Sequence, residues 1–70
     1  MNISARNQLQ GTVTSVTLGA VMAEVTVDVS GQQLVSAITR GSAEGLGLKE
    51  GSRVVVIIKA TEVMLGTDGA

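Results

Sequence analysis

The sequence predicts an all-β fold: a five-stranded Greek-key barrel with one short helix between strands 3 and 4. Three observations predict it. Of the 70 residues, 11 are Val and seven are Thr, and β-branched side chains favour strands. Several segments alternate apolar and polar residues with a period of two, which marks a half-buried strand. The alternation fails once, over a glycine-rich stretch after the third such segment, where a short helix is the natural filler.

The elements follow in order. Residues 7–16 place Leu9, Gly11 and Val13 on one parity and Gln8, Gln10, Thr12 and Thr14 on the other, a half-exposed first strand. Leu18-Gly19-Ala20 reads as a turn. From Val21 to Val29, the residues Val21, Ala23, Val25, Val27 and Val29 point inward and Met22, Glu24, Thr26 and Asp28 outward. Ser30-Gly31-Gln32 is a tight turn, so a third strand over 34–39 pairs antiparallel as a hairpin. Gly41 to Leu48 holds the helix, with Ser42 as its cap, Leu46 and Leu48 as its apolar contacts, and Gly45 and Gly47 limiting its length. Lys49-Glu50-Gly51 is a turn. The strand over 53–59 is apolar on both faces, Val54, Val56 and Ile58 on one and Val55 and Ile57 on the other. One face meets the domain's own core and the other is expected to meet a second subunit. A fifth strand is expected over 60–65. Residues 1–70 thus make one domain, with 67–70 as a frayed tail. Three strands, a helix and two strands is the order of the OB-fold; an SH3-like barrel is the competitor.

Composition excludes much of the usual chemistry. The chain has no His, Cys, Pro, Phe, Trp or Tyr. Disulfides and thiolate metal sites are excluded, as are the commonest metal ligand and general base. The acids Glu24, Asp28, Glu44, Glu50, Glu62 and Asp68 are scattered, so no paired-carboxylate centre is expected and the chain does not read as an enzyme. A net charge of −1 sets up no field for nucleic acid or membrane. Stacking aromatics, which single-stranded nucleic acid needs, are missing. No apolar run approaches the ~20 residues of a membrane span, and the first residues do not open a signal peptide, so a cytoplasmic protein is expected. A chain of this length buries only ~60% of its unfolded surface. Self-association is the remaining way to stabilise it.

A small polar ligand remains. Ser4-Ala5-Arg6 offers a hydroxyl, backbone amides and a guanidinium. Thr39 and Ser42 offer two hydroxyls around a turn and the amides of a helix start. Lys59-Ala60-Thr61 offers an ammonium, more amides and a hydroxyl. Each piece alone has a plain structural reading: a surface charge, a cap, a strand former. Together they present two cations and several hydroxyls with almost no acid beside them. That donor set suits a doubly charged tetrahedral oxyanion, which only accepts hydrogen bonds.

These residues also carry a resemblance. Ser4-Ala5-Arg6-Asn7-Gln8-Leu9 with Gly11, then Gly19-Ala20-Val21, Ile38-Thr39 with Ser42, Leu46-Gly47-Leu48-Lys49-Glu50-Gly51 and Ile58-Lys59-Ala60-Thr61-Glu62-Val63-Met64 together resemble the molbindin (Mop) family of small molybdate-binding proteins. The match runs from about residue 2 to residue 66. The resemblance implies an OB-like barrel assembled as a hexamer, a trimer of dimers, with molybdate or tungstate bound between subunits. It implies a main site from Ser4, Ala5, Arg6, Thr39, Ser42, Lys59 and Ala60, drawn from more than one chain, and no metal bonded directly to protein. A second class of site near the threefold axis would use Gly19, Ala20 and Val21. Arg40-Gly41 departs from the family pattern between Thr39 and Ser42, and Gly41 is expected to loosen that stretch. No DNA-reading or ATPase segment is appended, so a freestanding copy is expected, serving storage, buffering or delivery of molybdenum. The alternative is an oligomerising β-barrel module without tight ligand binding.

Overall fold

In a computed structural model, residues 1–69 are described; Ala70, the end of the expected tail, lies outside the described residues. The elements are β1 (Asn7–Leu18), β2 (Met22–Val29), β3 (Gln32–Thr39), α1 (Arg40–Gly45), β4 (Arg53–Ile58) and a 3-10 turn over Ala60–Glu62. The four strands form one antiparallel sheet in the order β3-β2-β1-β4.

The long β1 serves two partners. Its first half pairs with β4, Asn7 opposite Ile58 through Thr12 opposite Arg53. Its second half pairs with β2, ending at Leu18 opposite Ala23. A bulge between Val13 and Ser15 separates the halves. A bulge adds one residue and reverses which parity faces the core. That is why Val13 and Val16, of opposite parity, both pack against the core. At Val13 the backbone also bonds to the turn before β4, donating to the Ser52 carbonyl at 2.8 Å and accepting from the Gly51 N–H at 2.8 Å. Gly11 sits where a Cβ would lie 2.6 Å from Val27 Cγ1 and 2.8 Å from the Asp28 carbonyl oxygen; only glycine admits that approach.

The core is Val13, Val25 and Val27, flanked by Val16, Val29, Ile38, Leu48, Val54 and Val56. Ala23, Val25 and Val27 point inward as the alternation requires, but Val21 is 71% exposed. It lies in the β1–β2 turn, not in the strand, so period two does not govern it.

Both turns whose type the sequence suggests are tight for a stated reason. Ser30 (φ 51°) and Gly31 (φ 86°) link Val29 to its partner Gln32, the two positive φ values of a type I′ hairpin turn. Gly51 (φ 92°) is the third residue of the turn closed by Ser52 N–H donating to the Lys49 carbonyl at 3.0 Å.

Three expectations are corrected. Thr39, not Ser42, caps α1: its Oγ1 accepts from the Ser42 N–H at 3.0 Å. Gly41 lies inside α1. The helix buries Ala43 and leaves Leu46 exposed, while Leu48 packs on the core. Its end is a Schellman turn, with Leu48 N–H donating to the Ala43 carbonyl (3.1 Å), Gly47 N–H to Glu44 (3.0 Å) and Gly47 at φ 65°, so Gly47 is the stop signal.

The third correction is the largest. No fifth strand forms over 60–65. The chain turns into a 3-10 helix at Ala60–Glu62 and then runs on unpaired. Glu62 N–H donates to the Lys59 carbonyl at 2.8 Å, and that bond replaces the extended backbone a ladder needs. The sheet is therefore open, with unpaired edges on β3 and β4, instead of a closed five-stranded barrel.

Candidate functional site

The strand register sorts the expected site residues into two groups. Ser4, Ala5 and Arg6 run directly into Asn7, and Lys59 and Ala60 directly follow Ile58. Asn7 and Ile58 are paired, so these five residues share one end of the sheet. Two side chains that the sequence reading did not single out fix this end. Asn7 Nδ2 donates to the Ile58 carbonyl at 3.1 Å, and Gln8 Nε2 donates to the Ala5 carbonyl at 3.0 Å. Both lie in the Ser4–Leu9 motif that carries the resemblance, but the expected site set stops at Arg6, and a strand reading treats both as solvated polar positions.

Thr39 and Ser42 stand at the other end. Thr39 pairs with Met22, next to the β1–β2 turn. The Thr39 Oγ1 donates to Ser42 Oγ at 2.8 Å while accepting from the Ser42 amide. The two hydroxyls are thus held as one unit. Gly19, Ala20 and Val21 lie at this same end. Gly19 N–H donates to the Met22 carbonyl at 2.7 Å, and a Cβ on Gly19 would meet that oxygen at 2.9 Å. Arg40 binds the turn to the helix. Its amide donates to the Val21 carbonyl (2.7 Å), its Nη1 to the Gly19 carbonyl (3.3 Å), and its Nε reaches Glu44 Oε2 (3.3 Å). Arg40 stood outside the expected site set because a lone Arg before a helix carries no distinguishing sequence signal.

Within one chain the two groups do not meet. Twelve residues of β1 separate them, a path of about 40 Å at ~3.3 Å per residue, against a longest molecular dimension of 41 Å. Each group is also open to water: Ser4, Arg6, Thr39, Ser42, Lys59 and Ala60 are exposed and Ala5 is half-buried. Donors in full water grip an anion weakly. Two concavities among the described residues lie elsewhere, one beside Gln10 and Arg53 and one an apolar groove along the inner face. What each end supplies is clear: two cations with a hydroxyl and amides at one, a rigid hydroxyl pair at the other.

Comparison with known proteins shows the family of the chain. The TOBE domain matches residues 3–65. "Molybdenum-pterin-binding protein 3" of Clostridium pasteurianum is 47% identical over 66 residues, covering 93% of this chain and 97% of the relative. The solved structure of a molybdate-binding protein from Sporomusa ovata superposes with a TM-score of 0.91 at 42% identity, over 96% of this chain and all of that one. The cytoplasmic molybdate-binding protein ModG, solved with molybdate bound, superposes with a TM-score of 0.83 at 44% identity, over 86% of this chain and 43% of that one. The chain belongs to the TOBE domain family, in the molbindin (Mop) branch that these relatives define.

Proposed function

We propose that this protein binds molybdate, and tungstate nearly as well, in the cytoplasm, for storage, buffering or delivery of molybdenum. It does so as a homo-oligomer, a hexamer built as a trimer of dimers, and it acts as a binder, not an enzyme. The main site combines Ser4, Ala5, Arg6, Lys59 and Ala60 of one protomer with Thr39 and Ser42 of another. The observation that carries this reading is the separation of those two groups to opposite ends of β1. Each group is an incomplete, hydrated donor set; joined across an interface they surround an anion and exclude water.

The division of labour follows from the donors. Arg6 and Lys59 neutralise the two charges, and charge-assisted hydrogen bonds are roughly twice as strong as neutral ones. The Ser4, Thr39 and Ser42 hydroxyls, with amides near Ala5 and Ala60, set the shape. Gly19, Ala20 and Val21, tied to α1 through Arg40, are the proposed contributors to a second class of site near the threefold axis. Sulfate has the same charge and geometry as molybdate, so selection against it rests on cavity size.

Titration calorimetry with molybdate, tungstate and sulfate tests the reading. The expected result is tight binding of the first two and weak binding of sulfate; sulfate binding as tightly as molybdate would sink the size argument. The alternative, an oligomerising module with no tight ligand, draws support from the exposed apolar pair Val55 and Ile57. Molybdenum co-purifying at a fixed ratio to protein decides against it.

A further inference from the structure

The two amide side chains at the cationic end act on different parts of it. Gln8 Nε2 donates to the Ala5 carbonyl at 3.0 Å, three residues back in its own strand entrance, and so holds the bend that carries Arg6. Asn7 Nδ2 donates to the Ile58 carbonyl at 3.1 Å, 51 residues away in sequence, and so joins β1 to β4. Asn7 and Ile58 are both half-buried. They form the last pair of that ladder, since β1 begins at Asn7 and β4 ends at Ile58. Beyond the pair the chain leaves the sheet: Lys59 precedes the 3-10 turn at Ala60–Glu62, and its carbonyl accepts from the Glu62 N–H at 2.8 Å.

Two cations flank this last pair, Arg6 on one side and Lys59 on the other. Among the described residues the ion pair is Arg40 with Glu44, so no carboxylate neutralises either cation. Residues opposite one another in an antiparallel ladder stand about 5 Å apart at Cα, so Arg6 and Lys59 start from neighbouring positions. Like charges facing one another across strands destabilise the pairing, and exposed ends of elements open most readily. The end that carries both counter-charges for the anion is therefore the end most inclined to open when no anion is bound.

We infer that Asn7 is a positioning residue of the anion site: through the Ile58 carbonyl it holds Lys59 beside Arg6 before the anion arrives. A neutral amide suits this task. It opposes the repulsion between the cations without a carboxylate, which would neutralise them and compete with the ligand. Its acceptor belongs to the residue directly before Lys59, so loss of the bond releases Lys59 and Ala60 together, an ammonium and an amide of the proposed site. Gln8 cannot take over, because its bond stays within residues 5–8. Donors gathered in advance leave less ordering to be done on binding. The inference rests on the molybdate reading proposed above and adds the residue that keeps its cationic half together.

The test is molybdate titration of the full chain with Asn7→Ala, alone and combined with Lys59→Gln, which removes the charge and keeps a donor. Asn7→Ala is expected to lower affinity about five- to tenfold, the worth of one hydrogen bond. That ratio to wild type is expected to fall toward one in the Lys59→Gln background, where no second cation is repelled. It is also expected to shrink between about 0.05 M and about 0.5 M salt, which screens the repulsion. If Asn7→Ala does not fold, Asn7→Val supplies a strand former without the donor. A further readout needs no variant: nuclear magnetic resonance of the ligand-free wild type compares solvent exchange of the Asn7 side-chain amide with that of the other asparagine, exposed Asn2. Slower exchange at Asn7 is expected. Equal exchange at the two, unchanged affinity in Asn7→Ala, or a ratio indifferent to both Lys59→Gln and salt overturns the positioning role, the last leaving Asn7 as a structural tie only. In each of those cases a wild type that binds molybdate keeps the proposed function standing. A wild type that ignores molybdate overturns that function and this inference with it.

Discussion

At the scale of the residue, Thr39 holds two jobs in one side chain. Its Oγ1 accepts the Ser42 amide as the helix cap and donates to Ser42 Oγ. Thr39→Ala is therefore expected to cost about 1 kcal/mol of protomer stability through the lost cap, read by urea unfolding, as well as weakening molybdate binding. Ser42→Ala keeps the cap and isolates the effect on the anion. Arg6 makes no side-chain hydrogen bond among the described contacts and bears no visible share of the fold. Arg6→Ala is expected to leave stability unchanged and lower molybdate affinity by about a hundredfold, the size of one or two charge-assisted hydrogen bonds, measured calorimetrically. Unchanged affinity would show the site misplaced. Gly11 is a case where the backbone decides. The added methyl of Gly11→Ala meets Val27 and the Asp28 carbonyl below 3.0 Å, and overpacking of this kind costs about 1–3 kcal/mol.

At the scale of the element, what the sequence made legible and what it hid divide along one physical line. Patterns satisfied inside one chain were readable. The alternation Ala23, Val25, Val27 named the core face of β2, Ser30-Gly31 named its hairpin, and GSAEGLGL named a short helix after β3. The cap moved by three residues because Thr39 and Ser42 are both good caps, and only the backbone at the end of β3 decides between them. The bulge at Thr14 was invisible because the adjacent Thr and Ser are polar on either face. The segment after Lys59 misled for a deeper reason. Thr61, Val63 and Leu65 have strand-forming patterning, but a strand exists only when a neighbour accepts its hydrogen bonds, and no edge of the same chain reaches it. Likewise the donors of the candidate site were legible as residue types, whereas their split between two ends follows from the β1 register, which composition does not encode. The two-faced β4 is the strongest element-level signal of a partner: Val55 is 38% and Ile57 45% exposed, opposite a face that packs on the core. Val55→Asp or Ile57→Asp is expected to dissociate the assembly in analytical ultracentrifugation while the protomer stays folded. A variant that remains fully assembled would remove β4's outer face from the interface.

At the scale of the whole molecule, the separation of donors makes a prediction that no single-chain site shares. If one site needs Arg6 and Lys59 from one protomer and Thr39 and Ser42 from another, two inactive variants can repair each other. Arg6→Ala keeps an intact hydroxyl end, and the double variant Thr39→Ala/Ser42→Ala keeps an intact cationic end. Neither alone forms a complete site. When the two are mixed, dissociated and reassembled at equal concentration, random assortment gives about a quarter of interfaces an intact end from each chain. Molybdate titration of the mixture is expected to recover about that fraction of the wild-type stoichiometry at wild-type affinity, because the restored sites are chemically identical to the original. A site built within one chain would recover nothing on mixing, since every chain in the mixture carries a lesion. Recovery of stoichiometry with affinity unchanged, compared with no recovery at all, separates a ligand clasped between copies from one held by a single copy.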